Sequence, residues 1–240
     1  MPRPYASQRP PRPFVINPMP VTPPGTRKPQ RPRLPKPLPL AELPEGRLAD
    51  RTQCAGCQFT GLDLAEQSAQ NVLVEQSHFR NVNLSRTHLS RLHLVDVRFE
   101  RCDLSGAEWE QARLQRVEFA GCRLLGFKAF EADWRDVYFT DCQFGMAVLW
   151  GAQCQAVAFE DCSLREVSFD EADLSGVLFR RCDLSQATMR GAKLAGADLR
   201  SALLNGVQVN PGDLKGATIS PEQARLIAEL IGMVVKEDEL

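Results

Sequence analysis

The first forty residues of this 240-residue chain contain no aspartate or glutamate. After residue 50 only two of its seventeen prolines remain, Pro211 and Pro221. Histidine occurs three times and tyrosine twice. No apolar run approaches the ~20 residues of a helical membrane span, so such an anchor is excluded. A secretory leader is not expected either, because prolines interrupt every candidate apolar core near the N-terminus. Eight cysteines without an export signal point to reduced thiols and a cytoplasmic protein. The sequence has no glycine-rich phosphate loop, no Gly-x-Ser-x-Gly and no framed pair of carboxylates, so enzymatic chemistry, a cofactor and a metal are not expected.

The missing acids make the N-terminus cationic. Residues 1–40 hold eight Lys and Arg, which leaves 21 basic and 30 acidic residues, a charge of −9, on the rest. Fifteen prolines lie in residues 1–50, in runs such as "RPPRPF" and "RPRLPKPLPL". Proline lacks the amide donor that helices and sheets need, so this segment is read as a flexible polyproline-II tail. It is a linker, a ligand for a partner groove, or a segment that holds anionic surfaces through its Arg and Lys. "PFVIN" (Pro13–Asn17) is its one apolar triplet, able to dock as a short strand.

From about residue 54 a period of five takes over. Stepping by five from Phe59 through Leu64, Ala69, Val74 and Phe79 to Ile219 meets 33 residues without one polar side chain. Two positions before each centre stands a small or β-branched residue, as in Cys102, Ala107, Ala112 and Val117. The rest is polar: "CDLSG", "ADLSG", "AKLAG". Five matches neither the helical 3.6 nor the strand period of 2. The pattern resembles the A(D/N)LXX motif of the pentapeptide-repeat family. It covers residues 57–219, is cleanest at Ala172–Leu199 and is poorest near Gln67, Ser77 and Thr87, where the small position is polar. The resemblance implies an all-β solenoid: a right-handed quadrilateral β-helix, about eight coils of four pentapeptides each. Its centre and small residues point inward.

One square coil takes twenty residues, so residues twenty apart stack at the strand spacing of ~4.8 Å. Phe59, Phe79, Phe99, Phe119, Phe139, Phe159 and Phe179 then form one ladder of rings, and Cys102, Cys122, Cys142, Cys162 and Cys182 a second column. A straight column cannot converge on a metal, so these cysteines are read as small hydrophobes. Cys54 and Cys57 have half-site spacing without a second half. His78, His88 and His93 fall outside on three different faces.

Outward columns mix their charges: Arg98 stands over Glu118, and Asp96 over Arg116 over Asp136. Two places differ. Leu125, Phe130, Met146, Val148 and Trp150 point outward on two adjoining faces, with Phe130 and Trp150 one above the other, and form the candidate partner-binding surface. The tail folding back over them is the alternative. A loose acidic group, Glu108, Glu110, Glu131, Asp170 and Glu171, lies nearby, diluted by Lys128 and Arg190.

Residues 220–235 read as a C-terminal helix with Ser220 as N-cap, Pro221 at its first position and Gln223 completing a capping box. Ala224, Ile227, Leu230, Ile231 and Val234 are its expected apolar face. It plugs the open end of the solenoid or makes a homodimer. The three parts are thus a 1–50 tail, a 54–219 β-helix and a 220–235 cap. The functional expectation is a non-enzymatic interaction or scaffold module with an unknown protein partner, without direct nucleic-acid or membrane binding. Two alternatives come from the family resemblance: imitation of DNA that protects a type II topoisomerase, and service to a bacterial secretion apparatus.

Overall fold

The computed structural model describes residues 27–41, 43, 46–230 and 232–236. The Pro13–Asn17 triplet lies outside the described residues. Strands are short and parallel: β1 (Gln53–Ala55), β2 (Gln58–Thr60), β3 (Ser68–Gln70), β4 (Leu73–Glu75), β5 (His78–Arg80), β6 (His88–Ser90), β7 (His93–Glu100), β8 (Arg113–Ala120), β9 (Asp133–Thr140), β10 (Gln153–Glu160) and β11 (Leu178–Arg180). One helix follows, α1 (Pro221–Leu230).

From β1 onward every pairing among the described residues steps by twenty; the one exception, Leu40↔Gln58, joins the preceding segment to the first coil. The first face is centred on Phe59 and its successors. Its register runs unbroken from Gln58 through residues 78, 98, 118, 138, 158, 178 and 198 to Thr218. The second, third and fourth faces, centred on Leu64, Ala69 and Val74, step in the same way through bridges such as Asp103↔Arg123, Lys128↔Val148 and Asp173↔Lys193. The molecule is a right-angled stack of coils, the β-helix expected from the five-residue period.

Corners fall at the fifth position of each repeat, where the backbone enters the left-handed region. Asp96, Arg116, Asp136 and Ala156 have φ of 56°, 51°, 56° and 53°. Glycine fills many corners, and no non-glycine corner is β-branched. Branching at Cβ would clash there, whereas Arg, Asp, Glu and Gln pay a modest strain. In β7 to β10 pairing continues through the corner between the fourth and first faces, so each of these strands is eight residues long.

The interior is filled by the centre and small positions, nearly all of them buried from Phe59 to Val207. The Phe ladder is continuous: adjacent rings lie 4.3 to 5.3 Å apart and within 18° of parallel. The five-membered cysteine column is buried beside it. Its thiols donate to nearby carbonyls, as Cys142 Sγ does to Thr140 O at 3.3 Å. Hydrogen bonding to the next sulfur, together with burial, pushes Cys102, Cys142 and Cys182 up from the ordinary thiol value.

The polar departures from the motif are satisfied locally. Ser77 Oγ donates to Glu75 O at 2.7 Å, and Thr87 Oγ1 to Leu84 O at 2.9 Å. Gln67 Oε1 accepts the Leu48 amide at 2.8 Å, which ties the chain preceding the first coil to it. These three polar side chains therefore have partners, and the motif's weakest stretch costs little.

Both ends are closed. At the N-terminal end Leu48 joins the core, with Ala41 and Leu43 packed beside it. The Ala41 amide donates to Gln58 O, and the Gln58 amide to Pro39 O, both at 2.8 Å. Upstream, residues 27–39 run along the corner between the fourth and first faces, against the direction of coil stacking. The described part of the expected flexible tail is therefore bound to the body, because its arginines and backbone amides meet Asp96, Glu118 and Asp136 there.

At the other end Ser220 and Gln223 form the reciprocal capping box: Ser220 N donates to Gln223 Oε1 at 2.9 Å, and Gln223 N to Ser220 Oγ at 3.3 Å. Gln223 Nε2 also donates to Leu199 O and Ala202 O, both at 2.6 Å, and the second is a carbonyl that a further coil would otherwise meet. Leu226 and Ile227 pack on the core, while Ala224 and Val234 are exposed. The expected helix is shorter than 220–235 because Gly232, with φ of 84°, follows its end. Among the described residues no helix is long and apolar enough to cross a membrane.

Candidate partner-binding wall

The third face presents two outward columns, one on each side of its inward centres. One contains Ser68, His88, Glu108, Lys128 and Val148; the other contains Asp50, Gln70, Ser90, Glu110, Phe130 and Trp150. The apolar members occupy two successive coils. Lys128 and Val148 pair in register, and the Glu131 amide donates to Trp150 O at 3.1 Å. This fixes the backbone beneath Phe130 and Trp150 one coil apart. Phe127 and Ala129, which reverse the usual small-then-large order, both remain buried and do not bulge the wall.

Leu125, Met146 and Trp150 are 40%, 63% and 44% exposed, whereas Phe130 and Val148 are half-buried. Leu125 leans on Gly145, where an added Cβ would stand 3.3 Å from Leu125 Cδ2. Met146 occupies a corner with φ of 58°, which turns it outward between the second and third faces. Among the described residues no ring pair joins Phe130 to Trp150. Phe130 instead lines a shallow groove of about 410 Å³ with Gln70, His88, Ser90, Glu108 and Glu110. The five candidates lie on two adjoining faces, Leu125 on the second, Met146 at the corner and the other three on the third, as an exposed trio beside two partly covered side chains.

The neighbouring acids are largely matched. Lys128 Nζ donates to Glu108 Oε1 at 2.6 Å, and this hydrogen bond holds the Glu108 carboxyl below its ordinary value. Gln111 Nε2 reaches Glu131 Oε2 at 3.2 Å, and the Arg190 amide reaches Asp170 Oδ1 at 2.8 Å. Elsewhere ion pairs join residues one coil apart: Arg86 to Glu66, Arg123 to Asp103, Arg181 to Asp161 and Lys193 to Asp173. The acids therefore form no continuous stripe.

No group of three or more His, Cys, Asp or Glu among the described residues could hold a metal. Cys54 and Cys57 are half-buried free thiols, and burial pushes Cys54 up from its ordinary value. His78 and His93 are held below the ordinary imidazole value, in each case mainly by burial.

A second surface escaped the reading of the sequence. Asp96, Glu118 and Asp136, outward by phase, are buried beneath residues 27–33. The alternating Asp96, Arg116, Asp136 column was visible as a charge pattern, but its complement lay more than sixty residues away.

The family model described as pentapeptide repeat region matches residues 50–128, 112–189 and 152–224. The chain is similar in structure to HetL, a pentapeptide repeat protein involved in heterocyst differentiation regulation in the cyanobacterium Nostoc sp. strain PCC 7120. The two share 21% identity over 71% of this chain and 90% of that one, with a TM-score of 0.49. It is also similar to QnrB1, a plasmid-mediated fluoroquinolone resistance protein, at 24% identity over 78% of this chain and 99% of that one (TM-score 0.36). A pentapeptide repeat protein of the Arabidopsis thaliana thylakoid lumen matches at 18% identity over 47% of this chain and 71% of that one (TM-score 0.30). Among curated proteins none is significantly similar in sequence.

Proposed function

The chain belongs to the pentapeptide-repeat family, and from that premise we propose that it is a non-enzymatic interaction module that holds a protein partner on the wall of Leu125, Phe130, Met146, Val148 and Trp150. The observation that carries this reading is the exposure of Leu125, Met146 and Trp150 together on a wall whose backbone is paired on both sides. Large apolar side chains lose free energy by facing water, and the solenoid has ample buried positions for them. A stacked wall also pre-organises its contact residues, so binding costs little ordering entropy. Trp and Met are frequent anchors at protein interfaces.

The rung-by-rung ion pairs weigh against imitation of DNA, which needs a continuous acidic stripe. No residue described above selects a secretion apparatus. The wall reading is tested by capture from native lysate with the wild type and with Trp150→Ser and Met146→Ser. We expect both variants to melt as the wild type does and to lose the captured protein. Undiminished capture by both variants would show that the wall is not the site.

A further inference from the structure

We propose that the corner between the fourth and first faces is a recognition groove for a basic polyproline-II segment. Residues 27–33 of the chain itself occupy it, and a segment of the same chemistry presented by another protein exchanges with them.

The geometry is a match of two periods. The Gln30 amide donates to Asp136 Oδ1, and the Arg33 amide to Asp96 Oδ1, each at 2.9 Å. These carboxylates stand two coils apart in one column, so about 9.6 Å separates them at the parallel-strand spacing. One polyproline-II turn of three residues rises about 9.3 Å. A left-handed proline helix laid along this corner therefore returns an amide to every second rung with almost no drift. Between the two acceptors Arg116 donates to both oxygens of Asp96, at 2.7 Å each, which fixes that carboxylate. Burial pushes the Asp96 carboxyl up, but hydrogen bonds from Arg116 and the Arg33 amide outweigh it and hold the group ionised.

Side chains supply the selectivity. Arg27 Nη2 pairs with Asp136 Oδ2 at 2.8 Å. Arg31 pairs with Glu118 and lies over the Tyr138 ring, its guanidinium carbon 4.1 Å from the ring centre. The bound stretch, Arg27-Lys-Pro-Gln-Arg-Pro-Arg33, contains Pro29-x-x-Pro32, and Pro29 is buried. Beyond Asp136 and Tyr138 the same two columns continue as Ala156, Ala158 and Leu178. All three are apolar and buried although their phase points them outward. Carboxylates and an aromatic ring for arginine, with apolar side chains alongside, are the chemistry by which proteins read basic proline-rich segments.

Exchange is built into this arrangement. Arg27 and Arg31 keep about half of their side-chain surface in water, at 53% and 55%. Partly solvated ion pairs of this kind release readily and weaken with salt. The resident segment stays tethered through its pairing with Gln58, so it competes as an intramolecular ligand. Weakening it must therefore expose the groove to a peptide in solution.

The test uses the full chain and a fluorescent peptide of residues 26–36. Arg27→Ala/Arg31→Ala should bind the peptide at least tenfold more tightly than wild type, and more weakly as salt rises. Adding Asp136→Asn and Glu118→Gln to that variant should remove at least tenfold of the gain. A peptide carrying Pro29→Ala and Pro32→Ala should lose a similar factor. A folded double variant that binds no better than wild type would overturn the proposal, as would binding that survives loss of the two carboxylates. Should the double variant melt early, the wild type decides: excess peptide must accelerate hydrogen exchange at the Gln30 and Arg33 amides, and unchanged exchange refutes the groove.

Discussion

Replacing Phe139 by Ala tests whether the ring ladder is the load on which the coils rest. Phe139 lies between Phe119 and Phe159, with ring centres 4.8 and 4.9 Å away and planes within 12° and 7°. Trp134 and Phe144 contact it at 5.2 and 5.0 Å. Truncating a buried Phe to Ala costs about 3–5 kcal/mol. The upper end applies here, because neighbouring coils pair in register on both sides and cannot collapse into the cavity. Phe59 closes the ladder with one stacked neighbour, Phe79, at 4.3 Å. Each aromatic pair adds about 0.5–1.5 kcal/mol beyond area burial, so Phe59→Ala should cost less by about that amount or more. Cys142→Ala removes one sulfur from a column whose neighbours elsewhere are alanine, and should cost roughly 1 kcal/mol. Urea denaturation midpoints for the three variants, at matched slope, give the order. If Phe59→Ala proves as costly as Phe139→Ala, or Cys142→Ala more costly than either, the ladder is not the source of stability.

Two further outcomes follow from the ends and the flanks. Gln223→Ala should lower stability by about 1–3 kcal/mol, since it leaves Ala202 O without its donor, takes one of two donors from Leu199 O and breaks the capping box. Limited proteolysis should then cut near α1 first, and an unchanged cleavage pattern would contradict the cap. Acidification from pH 7 to 5 should lower the melting temperature through His78 and His93. Their folded pKa values are depressed, so the stability they contribute is complete above the unfolded value near 6.5 and is lost as pH falls through the folded values. His78→Gln/His93→Gln should flatten that slope. Asp96, also depressed, loses its contribution only at lower pH, below the ordinary carboxylate range.

The period of five made the β-helix legible because the inward position admits no exception from Phe59 to Ile219. Phase told that Leu125, Met146 and Trp150 point outward. It could not tell how far a ring lies down along the wall, so Phe130 was expected beside Trp150 and instead lines the groove toward Glu110. The cap was legible at its start, where Ser220 and Gln223 stand at capping-box spacing, but only in part in its contact face, where Ile227 packs on the core as its phase predicts. Hydrophobic periodicity selects Ala224 and Val234, whereas the decisive contact is made by the polar Gln223. The docked segment had only its positive charge as a local signal. Its prolines read as an unpaired chain until the coil register placed Asp96 and Asp136 one polyproline turn apart.

The wall itself is tested most directly by a photoreactive phenylalanine analogue placed at position 150 in the full chain, compared with one at Lys193, an exposed position on the fourth face two coils away. Irradiation in native lysate should link one defined protein to position 150 and none to position 193. Equal linking from both positions, or no linking from position 150 while the chain remains folded, would contradict a partner-binding wall.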